Sequence, residues 1–270
     1  MLPKDEPASV SPAEFSPGHR PAGASPTAVP NAHAAGPAPV KWRFPAIHRE
    51  GYRFAGIAGL AAIVVFAMGW TVVGWLLVLL TAGIAAFFRD PVRTVPAGEG
   101  MIVSPADGLV SQIVEVELPR QLVGEGALSA GTATRISVFM SVFDVHINRS
   151  PIAGTVSRIA YVPGSFLNAD LDKASEENER QYIVIEGADG VRVGFTQIAG
   201  LVARRIVGFV REGTLVGAGQ RIGLIRFGSR VDIFLPAGYV PRVAKGQRAV
   251  AGETILAERG RSPIAIGSRQ

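Results

Sequence analysis

Three hydropathy regimes succeed one another along the 270 residues. Residues 1–40 are mostly Pro, Ala, Ser and Gly, with few large apolar side chains. Such a stretch buries too little surface to offset the entropy of ordering it, so a disordered tail is expected. It has no basic start running into an apolar core and a cleavage site, so it does not read as a signal peptide. From Phe54 to Phe88 no charged residue occurs. As one helix this run would extend roughly 50 Å, well beyond a hydrocarbon core of about 30 Å. Gly69-Trp70 and Gly74-Trp75 mark a break with interface-type aromatics. The pattern therefore predicts two short helices, over 54–69 and 74–88, inside a hairpin segment spanning 41–93. After Pro91 the apolar positions come in short alternating bursts: "GLVSQIVEVEL", "TRISVFMSVFDVHI", "GTVSRIAYV", "QYIVIEG", "VRVGFTQIAG" and "RIGLIRFG". Gly, Asn, Pro and Asp punctuate them, which predicts a mainly β domain, sandwich or barrel-like, over 94–270. The polar stretch "NADLDKASEENERQ" reads as a surface loop or lid with some helix.

Charge sharpens the middle regime. Arg43, Arg49 and Arg53 precede the uncharged run, and Arg89 and Arg93 follow it. Positive flanks on both sides put both ends on the cytoplasmic face of the inner membrane, which a hairpin allows and a single span does not. A pair of core helices in a soluble protein is the plainer reading. The length of the uncharged run favours the membrane. A formal charge of +5 calls for an anionic partner. Aromatics make up only 7% and no basic run of five occurs, which points away from nucleic acid and toward anionic lipid.

Cysteine is absent, excluding disulfides, a thiolate nucleophile and a Cys-ligated zinc site. Of the four histidines, His19 and His33 lie in the tail and His48 beside the apolar run. Only His146 belongs to the β domain, so no multi-histidine metal site is expected. The strand "RIGLIRFGSRVDIFLP" carries Gly228-Ser229 at its centre, where Gly weakens a strand and Ser buries nothing apolar. A β-bulge is the ordinary explanation. Asp107 in "SPADG" makes a tight Asp-Gly turn, ordinarily structural. His146 sits on an apolar strand, where most histidines are satisfied core residues. Together Asp, His and Ser permit a hydroxyl nucleophile, an imidazole base and an orienting carboxylate, but their spacing alone does not bring them together.

"SPADG" at 104–108, "FMSVFDVHINRSP" at 139–151, "PGSFLNADLDKASEENER" at 163–180 and "GQRIGLIRFGSRVDIFLP" at 219–236 resemble the phosphatidylserine decarboxylases. The chain is most similar to their shorter, Phe-Gly-Ser (type A) branch. The likeness runs over about residues 45 to 250, in the same order, and leaves out the tail. It implies a proenzyme that makes its own pyruvoyl cofactor, with no pyridoxal phosphate and no metal. The Ser229 hydroxyl would attack the Gly228 carbonyl, turning the amide into an ester. Glycine there has no Cβ to obstruct the attack. β-Elimination would leave dehydroalanine, and hydrolysis a ketone, with loss of ammonia. A β chain of 1–228 and an α chain of 229–270 would stay associated as a heterodimer, with room for a higher oligomer.

The ketone at residue 229 would take the substrate amine as a Schiff base and accept the electrons released with CO2, converting phosphatidylserine to phosphatidylethanolamine. The resemblance also implies that His146 deprotonates Ser229 while Asp107 orients the ring. Arg230 is a tentative ligand for a substrate phosphate or carboxylate, against the alternative of a surface cation. Phe166, with Leu167, is a tentative apolar loop for the bilayer, against a core contact. Asn178, Glu179 and Arg180 match a family motif without an evident task.

Two rivals explain less. A membrane-anchored, non-enzymatic β scaffold of biotinyl/lipoyl type fits "GTVSRIAYVPG" and "VREGTLVGAGQRIGLI", but it lacks the modifiable lysine at a hairpin tip. A Ser-His-Asp hydrolase lacks a Gly-x-Ser-x-Gly elbow around Ser229.

Overall fold

The computed structural model describes residues 44–164, 177–200, 205–226 and 229–261, all within one compact unit that begins at Phe44. The tail, Arg43, the Phe166-Leu167 loop and Gly228 lie outside the described residues.

Helix α1 spans Arg49–Ala67 and α2 spans Thr71–Phe87. The hairpin is present, but α2 starts at Thr71, so that Gly74-Trp75, expected at the break, lie inside it; α1 starts five residues ahead of the uncharged run. His48 is the reason, because its Nδ1 accepts the Glu50 N–H and caps the helix. The two helices close tightly at Gly74, where a Cβ would come within 2.6 Å of the Phe66 ring. Their outer faces carry Ile57, Leu60, Ile63, Val72, Leu76 and Leu79, all exposed. Helix α1 is long and apolar enough to cross a membrane by length and composition, and only 17% of its apolar window is buried. That exposure counts against a pair of core helices.

The root of the hairpin is fastened to the β domain. Ala46–Ile47 pairs antiparallel with Arg89–Asp90, Glu50 meets Arg226 at 2.7 Å, and the Arg226 guanidinium lies over the Phe54 ring. Phe87 and Phe88 pack with Val145, Ile147 and Leu224 in a small core of their own.

The rest is mainly β, curled into a half-barrel. Its largest sheet has eight antiparallel strands, in the order Leu215–Val216, Gly154–Val162, Arg180–Glu186, Arg192–Ala199, Ser229–Phe234, Thr132–Met140, Gly108–Glu117 and Arg248–Ala249. A three-stranded sheet places Arg221–Ile225 between Ile206–Gly208 and Ile147–Arg149. Another places Ile255–Arg259 between Tyr239–Pro241 and Met101–Val103. Side chains alternate across the large sheet. Val231, Ile233, Met140, Val138, Phe195 and Ala199 join the main core on one face. On the other, Phe234, Tyr182 and Val184 pack with Leu122 and Ala127. The Ser229–Phe234 strand lies mid-sheet, paired on both edges and buried throughout.

Candidate active site

Ser229 opens that central strand, opposite Met140 on one side and Ala199 on the other. It is fully buried, and its hydroxyl lies 3.5 Å from the Met140 sulfur. The apolar strand holds the serine because both neighbouring strands satisfy its backbone, so a polar side chain is carried into a dry core face.

His146 precedes the Ile147–Arg149 strand and is also fully buried. Its Nδ1 lies 3.0 Å from the backbone oxygen of Asp144. A carbonyl only accepts, so Nδ1 carries the proton and Nε2 holds the lone pair. Burial lowers the pKa of this histidine to about 4, against the opposing influence of the Asp144 carbonyl and carboxylate. The ring packs 4.2 Å from that of Phe87, at the end of α2. The His146 carbonyl accepts the N–H of Ile225, four residues before Ser229.

Asp107 sits in the turn before the Gly108–Glu117 strand. At Gly108 a Cβ would run into the Phe139 carbonyl, which is why the turn needs glycine. Both carboxylate oxygens are engaged: Arg93 Nη2 donates to Oδ2 at 2.6 Å and the Ala251 N–H to Oδ1 at 2.7 Å. Burial still leaves its pKa raised despite these two donors. Arg93, one of the cations flanking the uncharged run, turns inward to this ion pair. The acidic residue whose charge bears on His146 is Asp144. Asp144 in turn accepts from the Ser141 N–H and hydroxyl and pairs with Arg248.

The motifs nevertheless converge. The Pro105 carbonyl of the "SPADG" turn accepts the Arg149 N–H at 2.9 Å. Asn148 Nδ2 lies 3.7 Å from the same Met140 sulfur that touches Ser229. Gln197 Nε2 donates to Asn148 Oδ1 at 2.7 Å, and both side chains are fully buried. Sequence reasoning did not single out Asn148, Gln197, Met140 or Asp144. A signal existed for Gln197, a lone amide on the core face of an otherwise apolar strand. Asn178 and Glu179 acquire a task as well. Asn178 Nδ2 donates to the Ala199 carbonyl and the Glu179 carbonyl accepts the Ala199 N–H, fixing the residue across from Ser229. Glu179 Oε1 also takes the Ile206 N–H.

Arg230 follows Ser229 in sequence but stands on the opposite sheet face, as strand alternation requires. There it is 1% exposed and clasps Asp232, with Nε and Oδ1 at 2.9 Å and Nη2 donating to Oδ2 at 3.0 Å. It is not a surface cation, and the structure does not bring it to the serine hydroxyl.

The profile of the phosphatidylserine decarboxylases matches residues 80–257. The chain belongs to this family. A phosphatidylserine decarboxylase proenzyme of Novosphingobium aromaticivorans is 57% identical over 234 residues, covering 85% of this chain and 93% of that protein. Proteins of the same name from Erythrobacter litoralis (58% over 234 residues, 85% and 94% coverage) and Zymomonas mobilis (56% over 221, 82% and 90%) are comparably similar. Membership in the phosphatidylserine decarboxylase family makes the chain a decarboxylase and displaces the scaffold reading. The apolar helix and a phospholipid-metabolising family together point to membrane association.

Proposed function

We propose that the chain severs itself between Gly228 and Ser229 and then converts phosphatidylserine to phosphatidylethanolamine and CO2 with the pyruvoyl group left at residue 229. The supporting observation is a fully buried serine hydroxyl at the head of a central strand, set against the Met140 sulfur that Asn148, two residues beyond the buried His146, also touches.

In this reading His146 Nε2 removes the Ser229 hydroxyl proton. The oxygen then bonds to the Gly228 carbonyl carbon, and the amide C–N bond breaks as its nitrogen takes a proton. Loss of the Ser229 Cα proton expels the Gly228 carboxylate, and one water replaces the nitrogen, which departs as ammonia. Asp144 holds the ring through Nδ1–H. Asp107 serves the relay by pinning the turn that abuts Asn148 and Arg149. The surroundings of Ser229 suit a keto group: the side chain is fully buried against the Met140 sulfur, which the Asn148 amide also approaches.

The pyruvoyl carbonyl supplies an electrophile for the substrate amine and a sink for the electrons released with CO2. In this reading His146 then returns a proton to the product side. Exclusion of water by Met140, Val138 and Phe195 favours loss of a carboxylate as neutral CO2. Arg230 acts as a strut of the strand through Asp232. The β and α chains remain together because the cut falls between strands packed into one sheet system, and the hairpin keeps the domain on the cytoplasmic face of the inner membrane.

Vesicles containing phosphatidylserine labelled on the serine carboxylate test the reading. The parent chain releases labelled CO2, and Ser229→Ala, which has no hydroxyl, releases none. Release by Ser229→Ala at the parent rate would remove residue 229 from the chemistry.

A further inference from the structure

We propose that the turn carrying Val142 and Phe143 is a second membrane contact, inserting the Phe143 ring into the acyl boundary of an anionic bilayer beside the hairpin root. The inference rests on the membrane reading above and adds the surface that fixes how deep the active centre sits.

Phe143 is 83% exposed and Val142 47% exposed. A single exposed apolar residue is ordinary on a soluble surface. This one differs because the turn that presents it is tied down on every side. The Asp144 carboxylate accepts the Ser141 N–H at 2.8 Å and the Ser141 hydroxyl at 2.7 Å, and the Asp144 N–H closes onto the Ser141 carbonyl. The Phe143 carbonyl accepts from Arg89 Nη2 at 2.6 Å, while Arg89 Nη1 donates to the Ala86 carbonyl in the last turn of α2. A phenyl ring is thus held in water by a rigid frame, with no core contact to gain there.

The frame is continuous with the hairpin. Arg89 joins the turn to the end of α2, and three residues beyond Phe143 the His146 ring packs on Phe87. Arg49, Arg53 and Tyr52 at the same root are exposed, the cation-and-aromatic mixture that suits an anionic headgroup layer. An aromatic at that level enters the acyl boundary while the cations stay among the headgroups. The substrate headgroup would then lie level with His146, and lipid would not have to leave the bilayer to react.

The chain has no cysteine, so single-cysteine probes are unambiguous. Full-length protein is labelled at Phe143→Cys, at Leu76→Cys on the exposed face of α2, or at Leu215→Cys, an exposed position on an edge strand of the large sheet. Each is mixed with phosphatidylglycerol–phosphatidylcholine vesicles carrying a quencher at a shallow acyl position. Quenching at 143 and 76 but not at 215 is the expected result. Quenching at 76 with residue 143 behaving like 215 would overturn the second contact and leave the hairpin standing. No quenching at 76 would overturn the membrane reading and this inference with it. In a second measurement, Phe143→Ser is expected to raise the vesicle concentration for half-maximal decarboxylation by on the order of tenfold, as loss of one buried aromatic implies. Phe143→Trp is expected to restore it. An unchanged half-saturating concentration in Phe143→Ser would also contradict the proposal.

Discussion

His146 has to be a base, and the protein secures this by burying it. In water an imidazole is partly protonated near neutrality, whereas here burial keeps it neutral down to about pH 4 and the Asp144 carbonyl fixes which nitrogen holds the lone pair. The same burial has a consequence for stability. The unfolded chain takes up a proton at this residue near pH 6.5, while the folded chain resists until about 4. Stability is therefore fully present above the unfolded value and drains away as pH falls toward the folded one. Between pH 7 and 5 this amounts to about 2 kcal/mol. Asp107 acts in the opposite sense, since its raised folded pKa lets the native state bind a proton first. Comparing Ser229→Ala with Ser229→Ala carrying His146→Gln, both uncut single chains, cancels the Asp107 contribution, which is common to both. Denaturant unfolding at the two pH values should show an acid loss smaller by about 2 kcal/mol in the double variant. Equal losses would mean that His146 is not held neutral.

At the level of strands and helices, the sequence exposes periods but not partners. The uncharged run marks the two helices but misplaces the turn, since Gly74 lies inside α2, and the start of α1 is hidden because its first turn is charged: Arg49 and Glu50 belong to the helix, and Glu50 is taken up by Arg226, 176 residues away. The serine strand shows a second limit. Its continuous burial conceals a two-faced element, with Ser229, Val231 and Ile233 on one core and Arg230 and Asp232 on the other side. Alternation separates Ser229 from Arg230 and puts Asp232, two residues on, on the face of Arg230 to receive the guanidinium, but it does not show that this face is buried as well. A buried ion pair is worth most when broken from one side. Asp232→Ala should cost about 3–5 kcal/mol of unfolding free energy, because it strands a buried cation. Arg230→Met with Asp232→Leu should recover much of that loss. A surface-like cost below about 1 kcal/mol for the single change would show that the pair is solvated.

Across the whole molecule, the motifs were legible as chemistry long before they were legible as a place. Ser229, His146 and "SPADG" stood out as residue types misplaced in apolar or turn contexts. Met140 and Asn148 join the serine to the "SPADG" turn, and His146 reaches the strand before the serine through its carbonyl on the Ile225 N–H; these contacts emerge only when strands distant in sequence pair. Asn178 and Glu179 had no discernible task in the sequence because they work on Ala199, a residue without chemistry of its own, which happens to face the nucleophile. The fold thus sets a buried serine at the head of a central strand and a buried histidine against the end of α2, and it fastens an apolar hairpin to the same β domain, consistent with the proposed meeting of a lipid headgroup and a dry catalytic centre.

The self-inflicted break at residue 229 carries all of this, and intact-mass analysis of the purified chain tests it most directly. Wild-type protein should separate into a large piece ending at Gly228 and a small one whose first residue has lost its amino nitrogen and gained a keto oxygen, while His146→Gln stays mostly whole. A single uncut wild-type chain, or a small piece beginning with an ordinary serine, would contradict the account.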